Sequence, residues 1–255
     1  MNKIARCLKN AELSYNSIDL WDKKNVVYKE FNNSILNIAH VYYYFEKDEL
    51  YISIRGSDCF YDIIDDCDIF KTLFKEVDRS DVYVHSGFYT DFCEIKDYVK
   101  DIINSFNISK IYFSGHSKGS AISTLTSLYV SLIYKNIKIY NIGFGSPRVG
   151  CNNFVNLYNS ILAETTYLIR TKRDLIPKLP IYGYYDISNQ YIIDDRKLKL
   201  YNENDMNVLF HNFNYHKLKY YTECEYEKDK ETKKEIKDED KGIICIDDIE
   251  FVLVE

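Results

Sequence analysis

At 255 residues the chain has room for one large domain with a short appendage. With 46% of its residues hydrophobic it can bury a sizeable core, and a formal charge of −6 gives no electrostatic ground for binding nucleic acid. None of the seven cysteines forms a CxxC pair, residues 1–14 lack an apolar leader, and no stretch nears the roughly 18 apolar residues of a membrane span; together these read as reduced thiols in a cytoplasmic setting.

In chain order, Ile4, Cys7, Leu8 and Ala11 fall at helical spacing and predict a helix over 1–20. Two β-rich runs follow, Ile35–Phe45 and Leu50–Arg55, joined by a hairpin turn at Glu46-Lys47-Asp48-Glu49. His40, inside the first run, reads as a core histidine. Residues 58–82 hold eight acids and three bases. Phe60, Ile63, Ile64, Cys67 and Phe74 share a helical face there, which suits an amphipathic lid or a helix packed permanently on the core. Phe92, Ile95, Val99 and Ile102 predict a helix over 90–107.

A strand over Lys110–Ser114, a turn over Gly115–Gly119 and a helix over Ser120–Tyr134 come next. Strands at Ile137–Phe144 and Tyr167–Arg170 are each followed by a loop, the second running through Pro180. Strands alternating with helices imply a mainly parallel central sheet covered by helices on both faces. Residues 222–241 are almost wholly charged or polar and read as a linker, and the alternating stretch within 242–255 reads as a terminal strand. The domain proper is therefore 1–221.

Gly115-His116-Ser117-Lys118-Gly119 fits G-x-S-x-G where that pattern has mechanical meaning, between an apolar strand and a helix start. The turn lifts a serine hydroxyl above the sheet edge, and the helix N-terminus offers N–H groups to a developing oxyanion. The bland alternative is a helix start with Ser117 as its N-cap. Further ordered segments carry a resemblance: Tyr51-Ile52-Ser53-Ile54-Arg55-Gly56-Ser57, Val84-His85-Ser86-Gly87-Phe88, Phe144-Gly145-Ser146-Pro147-Arg148-Val149-Gly150, and Arg170 to Pro180. With the elbow, these resemble the class 3 lipases, the fungal-lipase-like family of α/β-hydrolases, over about residues 35–221.

The resemblance implies an α/β-hydrolase fold and a carboxylic-ester hydrolase acting on lipid acyl esters, acylglycerols first. Alternatives are a phospholipase or small-ester esterase with the same triad, or a catalytically silent lipase-like binding protein. Ser117 would be the nucleophile and Asp174, matching D-x-x-P with Pro177, the triad acid; the bland reading of Asp174 is a loop residue capping a turn. The backbone N–H groups of Ser57 and Lys118 would form the oxyanion hole. For the base, His216 opens His216-Lys217-Leu218-Lys219-Tyr220-Tyr221, which fits the family's H-x-L-x-x-Y, while His211 in a loop remains the alternative. His85 would hydrogen-bond beneath the floor of the site, and His116 would diverge from Ser117. No cofactor or metal is implied; the partners are a lipid or small-ester substrate and, peripherally, a lipid surface. The chain departs from the family at Lys118, usually Leu, at Ser120, usually Gly, and at Ile63, where Trp usually follows the Asp. The Lys118 ammonium needs solvent or a carboxylate, and Asp58 and Asp62 are the candidates.

Overall fold

The computed structural model describes residues 3–15, 26–31, 39–56, 70–187, 189–194, 197–201, 216–222, 243–246 and 249–252. Its centre is an eight-stranded sheet of β1 (Val26–Phe31), β2 (Ala39–Glu46), β3 (Glu49–Ile54), β6 (Lys110–His116), β7 (Lys138–Phe144), β8 (Thr166–Thr171), β9 (Gln190–Asp194) and β10 (Lys197–Leu200), in the order β1-β2-β3-β6-β7-β8-β9-β10. The five strands from β3 to β9 run parallel; β1 and β2 extend one edge and β10 the other in antiparallel pairing. The central strands read as almost unbroken apolar runs because both their faces are buried.

Alternation along those strands feeds two cores. Ile52, Phe113 and Ile139 point to one, shared with α2 (Ser86–Asn104), α3 (Lys118–Ile133) and α4 (Asn152–Leu162). Tyr51, Tyr112 and Tyr140 point to the other, under α1 (Lys3–Leu13) and the short α5 (Lys219–Thr222). In register, Tyr51, Tyr112 and Tyr140 stack at 4.8 and 4.7 Å between ring centroids. The cations of α1 lie on this row, Lys3 Nζ 5.1 Å from the Tyr112 ring and the Arg6 guanidinium 5.1 Å from Tyr51. The fold is that of an α/β-hydrolase, with the mainly parallel sheet covered on both faces as expected.

Several boundaries move. The first helix ends at Leu13; the first β-rich run is described as a strand from Ala39, and Ile35 lies outside the described residues. The helix expected from residue 90 begins at Ser86, because His85 serves as its N-cap. The strand β1, the helix α4 and the pair β9–β10 were not legible in the sequence pattern.

The helix expected within 58–82 is corrected where it is described: Lys71–Leu73 is strand β4, paired antiparallel with β5 (Tyr83–His85). Phe74 belongs to no lid face; it is fully buried, 6.0 Å from the Phe92 ring and 5.9 Å from Phe154. Phe60, Ile63, Ile64 and Cys67 lie outside the described residues. The terminal stretch is not one strand but two, β11 (Ile243–Ile246) and β12 (Ile249–Val252), paired with each other. Of the charged 222–241 segment, residues 223–241 lie outside the described residues. Among the described residues no helix is long and apolar enough to cross a membrane.

The interior of α3 is unusual in carrying Ser123, Thr124, Thr126, Ser127 and Ser131 fully or nearly buried. Each hydroxyl donates to a carbonyl three or four residues back, so none is left without a partner. Asn141 of β7 completes the network, donating to Thr124 Oγ1 at 3.0 Å and Tyr158 Oη at 2.9 Å, while its Oδ1, 2.9 Å from Ser123 Oγ, shares that hydroxyl's one proton with the Ser120 carbonyl. That network ties the elbow helix rigidly to the neighbouring strand.

Candidate active site

Ser117 stands between β6 and α3 with φ 57° and ψ −129°, a backbone region costly for a residue with a Cβ. The turn is held on every side. Ser117 N–H donates to Phe144 O at 2.9 Å, and Ser120 N–H donates to Ser117 O at 2.9 Å. Gly119 lets the helix start touch β3: a Cβ there would sit 2.1 Å from Ile54 O. Ser117 makes no side-chain capping bond, and its buried Oγ has no hydrogen-bond partner among the described residues. The N-cap reading therefore fails, because a capping serine spends its hydroxyl on a backbone N–H.

Asp174 is fully buried just past β8. Its Oδ1 accepts from Ile176 N–H at 2.9 Å, so the residue does cap its own turn, and Oδ2 is left to face elsewhere. Oδ2 accepts from Tyr221 Oη at 2.9 Å and pairs with His216 Nδ1 at 2.7 Å. A carboxylate oxygen accepts, so Nδ1 carries the hydrogen and the lone pair of a neutral His216 falls on the buried Nε2. Gly145 makes room for the imidazole: its φ is 59°, and a Cβ there would lie 2.8 Å from His216 Cε1.

The structure thus joins His216 to Asp174 and sets Ser117 on the same sheet edge. Because Ser117 Oγ is unpartnered among the described residues, no Ser117–His216 hydrogen bond is formed in this state; such bonds commonly close only when substrate binds. His211 and Ser57 lie outside the described residues. Gly56, the neighbour of Ser57, packs on the elbow, with a Cβ position 2.5 Å from His116 O and 3.4 Å from Gly119 N.

The Lys118 ammonium meets a carboxylate as expected, pairing with Asp91 Oδ2 of α2 at 3.1 Å. Asp58 and Asp62, the expected partners, lie outside the described residues. His85 Nδ1 accepts from Phe88 N–H at 3.4 Å and its ring stacks on Phe88, so its hydrogen bond serves the start of α2. His116 diverges from Ser117 as expected, but turns toward His216: the rings stack at 4.6 Å, and His116 Nε2 lies 2.6 Å from His216 O. Sequence reasoning missed this contact and the Tyr221 bond to Asp174, although the H-x-L-x-x-Y spacing had already marked Tyr221.

With the geometry in place, comparison supplies the family. The sequence profile of the family Lipase (class 3) matches residues 51–183, more than half of the chain. The chain belongs to that family. The matched region includes Ser117, Lys118 and Asp174 and ends before His216. This class 3 lipase chain is 33% identical over 127 residues to the secreted mono- and diacylglycerol lipase MDL2 of Malassezia globosa, covering 46% of this chain and 42% of that protein. It is 31% identical over 114 residues to the toxin TseL of Vibrio cholerae, covering 44% of this chain and 17% of that one. The chain thus spans less than half the length of these curated relatives. The triacylglyceride lipase of Rhizomucor miehei superposes with a TM-score of 0.72 at 21% identity, covering 84% of this chain and 91% of that one, a likeness of fold.

Proposed function

We propose that the chain is a serine hydrolase of carboxylic esters that acts on the acyl esters of lipids, acylglycerols first among them. Ser117 is the nucleophile, His216 the general base and Asp174 the residue that orients it. The observation that carries the proposal is the 2.7 Å contact of His216 Nδ1 with a fully buried Asp174, on the same sheet edge as a strained, buried Ser117 whose hydroxyl has no partner among the described residues. Membership of the class 3 lipases supports the same reading.

In the proposed sequence, Ser117 Oγ attacks the ester carbonyl and His216 Nε2 takes its proton. The carbonyl oxygen becomes an oxyanion facing the N–H groups of Lys118 and Ser57. His216 returns the proton to the departing alcohol as the acyl–oxygen bond breaks, leaving the acyl group on Ser117. Water, deprotonated by His216, then releases the carboxylic acid and restores Ser117.

Contact with a lipid surface belongs to the proposal. Phe70, Ile181, Tyr182 and Tyr185 are exposed on two segments that meet where Tyr184 Oη donates to Phe70 O. A fluorophosphonate probe is expected to label Ser117, and p-nitrophenyl esters of rising chain length, above and below micelle formation, will read acyl preference and interfacial activation. A folded protein that neither takes the label nor turns over any ester would refute the assignment.

A further inference from the structure

We infer that His116, with Tyr15 behind it, is a positioning residue that fixes the base His216 against the nucleophile; the inference rests on the triad proposed above. His116 Nε2 is 2.6 Å from the backbone oxygen of His216. A carbonyl only accepts, so this nitrogen carries the hydrogen and donates. Its other nitrogen, Nδ1, is then an acceptor, and it meets Tyr15 Oη at 3.2 Å. The carbonyl selects the tautomer of His116, and the tyrosine hydroxyl, donating to Nδ1, satisfies the acceptor that this tautomer leaves.

The geometry explains why such a residue is needed. A hydrogen bond from Nδ1 to Asp174 does not by itself stop the His216 ring from pivoting about that bond and swinging Nε2 away from Ser117. The face of His116, 4.6 Å away and inclined by 30°, blocks the pivot, while its N–H holds the main chain from which the ring hangs. His116 is also covalently joined to Ser117, whose backbone is locked by the elbow. One hydrogen bond thus ties base and nucleophile together through a single rigid turn. Such coupling matters because displacements of about 1 Å can cost on the order of 100-fold in rate.

The groups facing His116 are Tyr15 from the residues following α1, His216, and Tyr221 of α5 with its ring 5.8 Å away. Burial and the neighbouring His216 both push the His116 pKa well below 6.5, so the ring stays neutral beside the base. A neutral ring face there does not oppose the positive charge that His216 acquires when it takes the Ser117 proton.

The test uses three variants of the full chain. His116→Phe keeps a ring face but removes the donor; His116→Gln restores a donor at the same reach; Tyr15→Phe removes the hydroxyl that donates to Nδ1. On a water-soluble ester, His116→Phe is expected to lose about 10- to 100-fold in kcat with KM within about threefold, His116→Gln to recover most of that loss, and Tyr15→Phe to lose about threefold to tenfold. Ring ¹⁵N spectra of the parent are expected to show His116 as the neutral Nε2–H tautomer, and Tyr15→Phe to shift the Nδ1 resonance as its hydrogen-bond donor is lost. Values of kcat within about twofold of the parent in both His116→Phe and Tyr15→Phe overturn the inference, as does an Nδ1–H tautomer in the parent. If His116→Phe fails to fold, Tyr15→Phe and the parent spectrum still decide. Failure of the triad itself is seen separately, as an ester turnover that survives Ser117→Ala; the spectra judge the tautomer whatever the turnover.

Discussion

Ser117 and His216 meet at one sheet edge, but the chain secures them by different means. Around Ser117 the restraints are those of the backbone: a strand, a turn at positive φ, a helix start, and Gly119 pressed against Ile54. Around His216 they are side chains from distant parts of the sequence: Asp174 at 42 residues' separation and His116 at 100. The proposed nucleophile is thus held by the same contacts that build the sheet, whereas the proposed base hangs on side chains. Damage to the first region should fall on folding and catalysis together; damage to the second should fall on catalysis with the fold largely spared.

The widest loss tests the shared edge itself. Ser117→Ala and His216→Ala are each expected to lose a factor on the order of 10⁴ or more in kcat while melting near the parent, and His211→Ala to stay within about tenfold. A reversal of the two histidines would move the base to His211. Two glycines then divide the regions. Gly119→Ala drives a methyl into backbone at 2.1 Å and is expected to cost about 3 kcal/mol of stability, read by chemical denaturation, with activity falling alongside. Gly145→Ala places its methyl 2.8 Å from the His216 ring and is expected to lose on the order of 100-fold in kcat for a smaller loss of stability. Equal effects on stability at the two glycines would break the comparison.

Smaller effects sharpen it. Tyr221→Phe removes the hydroxyl donated to Asp174 Oδ2 and is expected to reduce kcat by up to about tenfold. The acid response follows from His116, whose folded pKa lies well below 6.5. As pH falls through about 6.5 the unfolded chain binds a proton there and the folded chain does not, so this contribution is complete at higher pH and is lost on acidification. The fall in melting temperature from about pH 7 to pH 5 should therefore be shallower in His116→Gln than in the parent; an unchanged slope would show that the buried imidazole titrates freely. The least effect is expected of Lys118→Leu. Its ammonium pairs with Asp91, and in the proposed mechanism only its N–H serves the oxyanion, so most activity should remain. A loss above roughly 100-fold would give the charge a role in the transition state.

The sequence alone determined the parallel centre of the sheet and the place of Ser117, because both are written in short-range signals. Unbroken apolar strands are read from adjacent residues, and an elbow from glycines two positions either side of a serine. The same holds for Asp174, whose turn is closed by its own neighbour at Ile176. Only the tertiary structure decided what lies across the sheet. It placed Phe74 in the core where the sequence left lid and core open, gave Lys118 a partner on α2, and stacked His116 on His216. Hydrophobic periodicity states that a side chain is buried or that a charge needs a partner, but burial is non-directional and many partners would satisfy it. Which partner is met depends on how strands some hundred residues apart come into register, and that is fixed by the packing of the whole sheet.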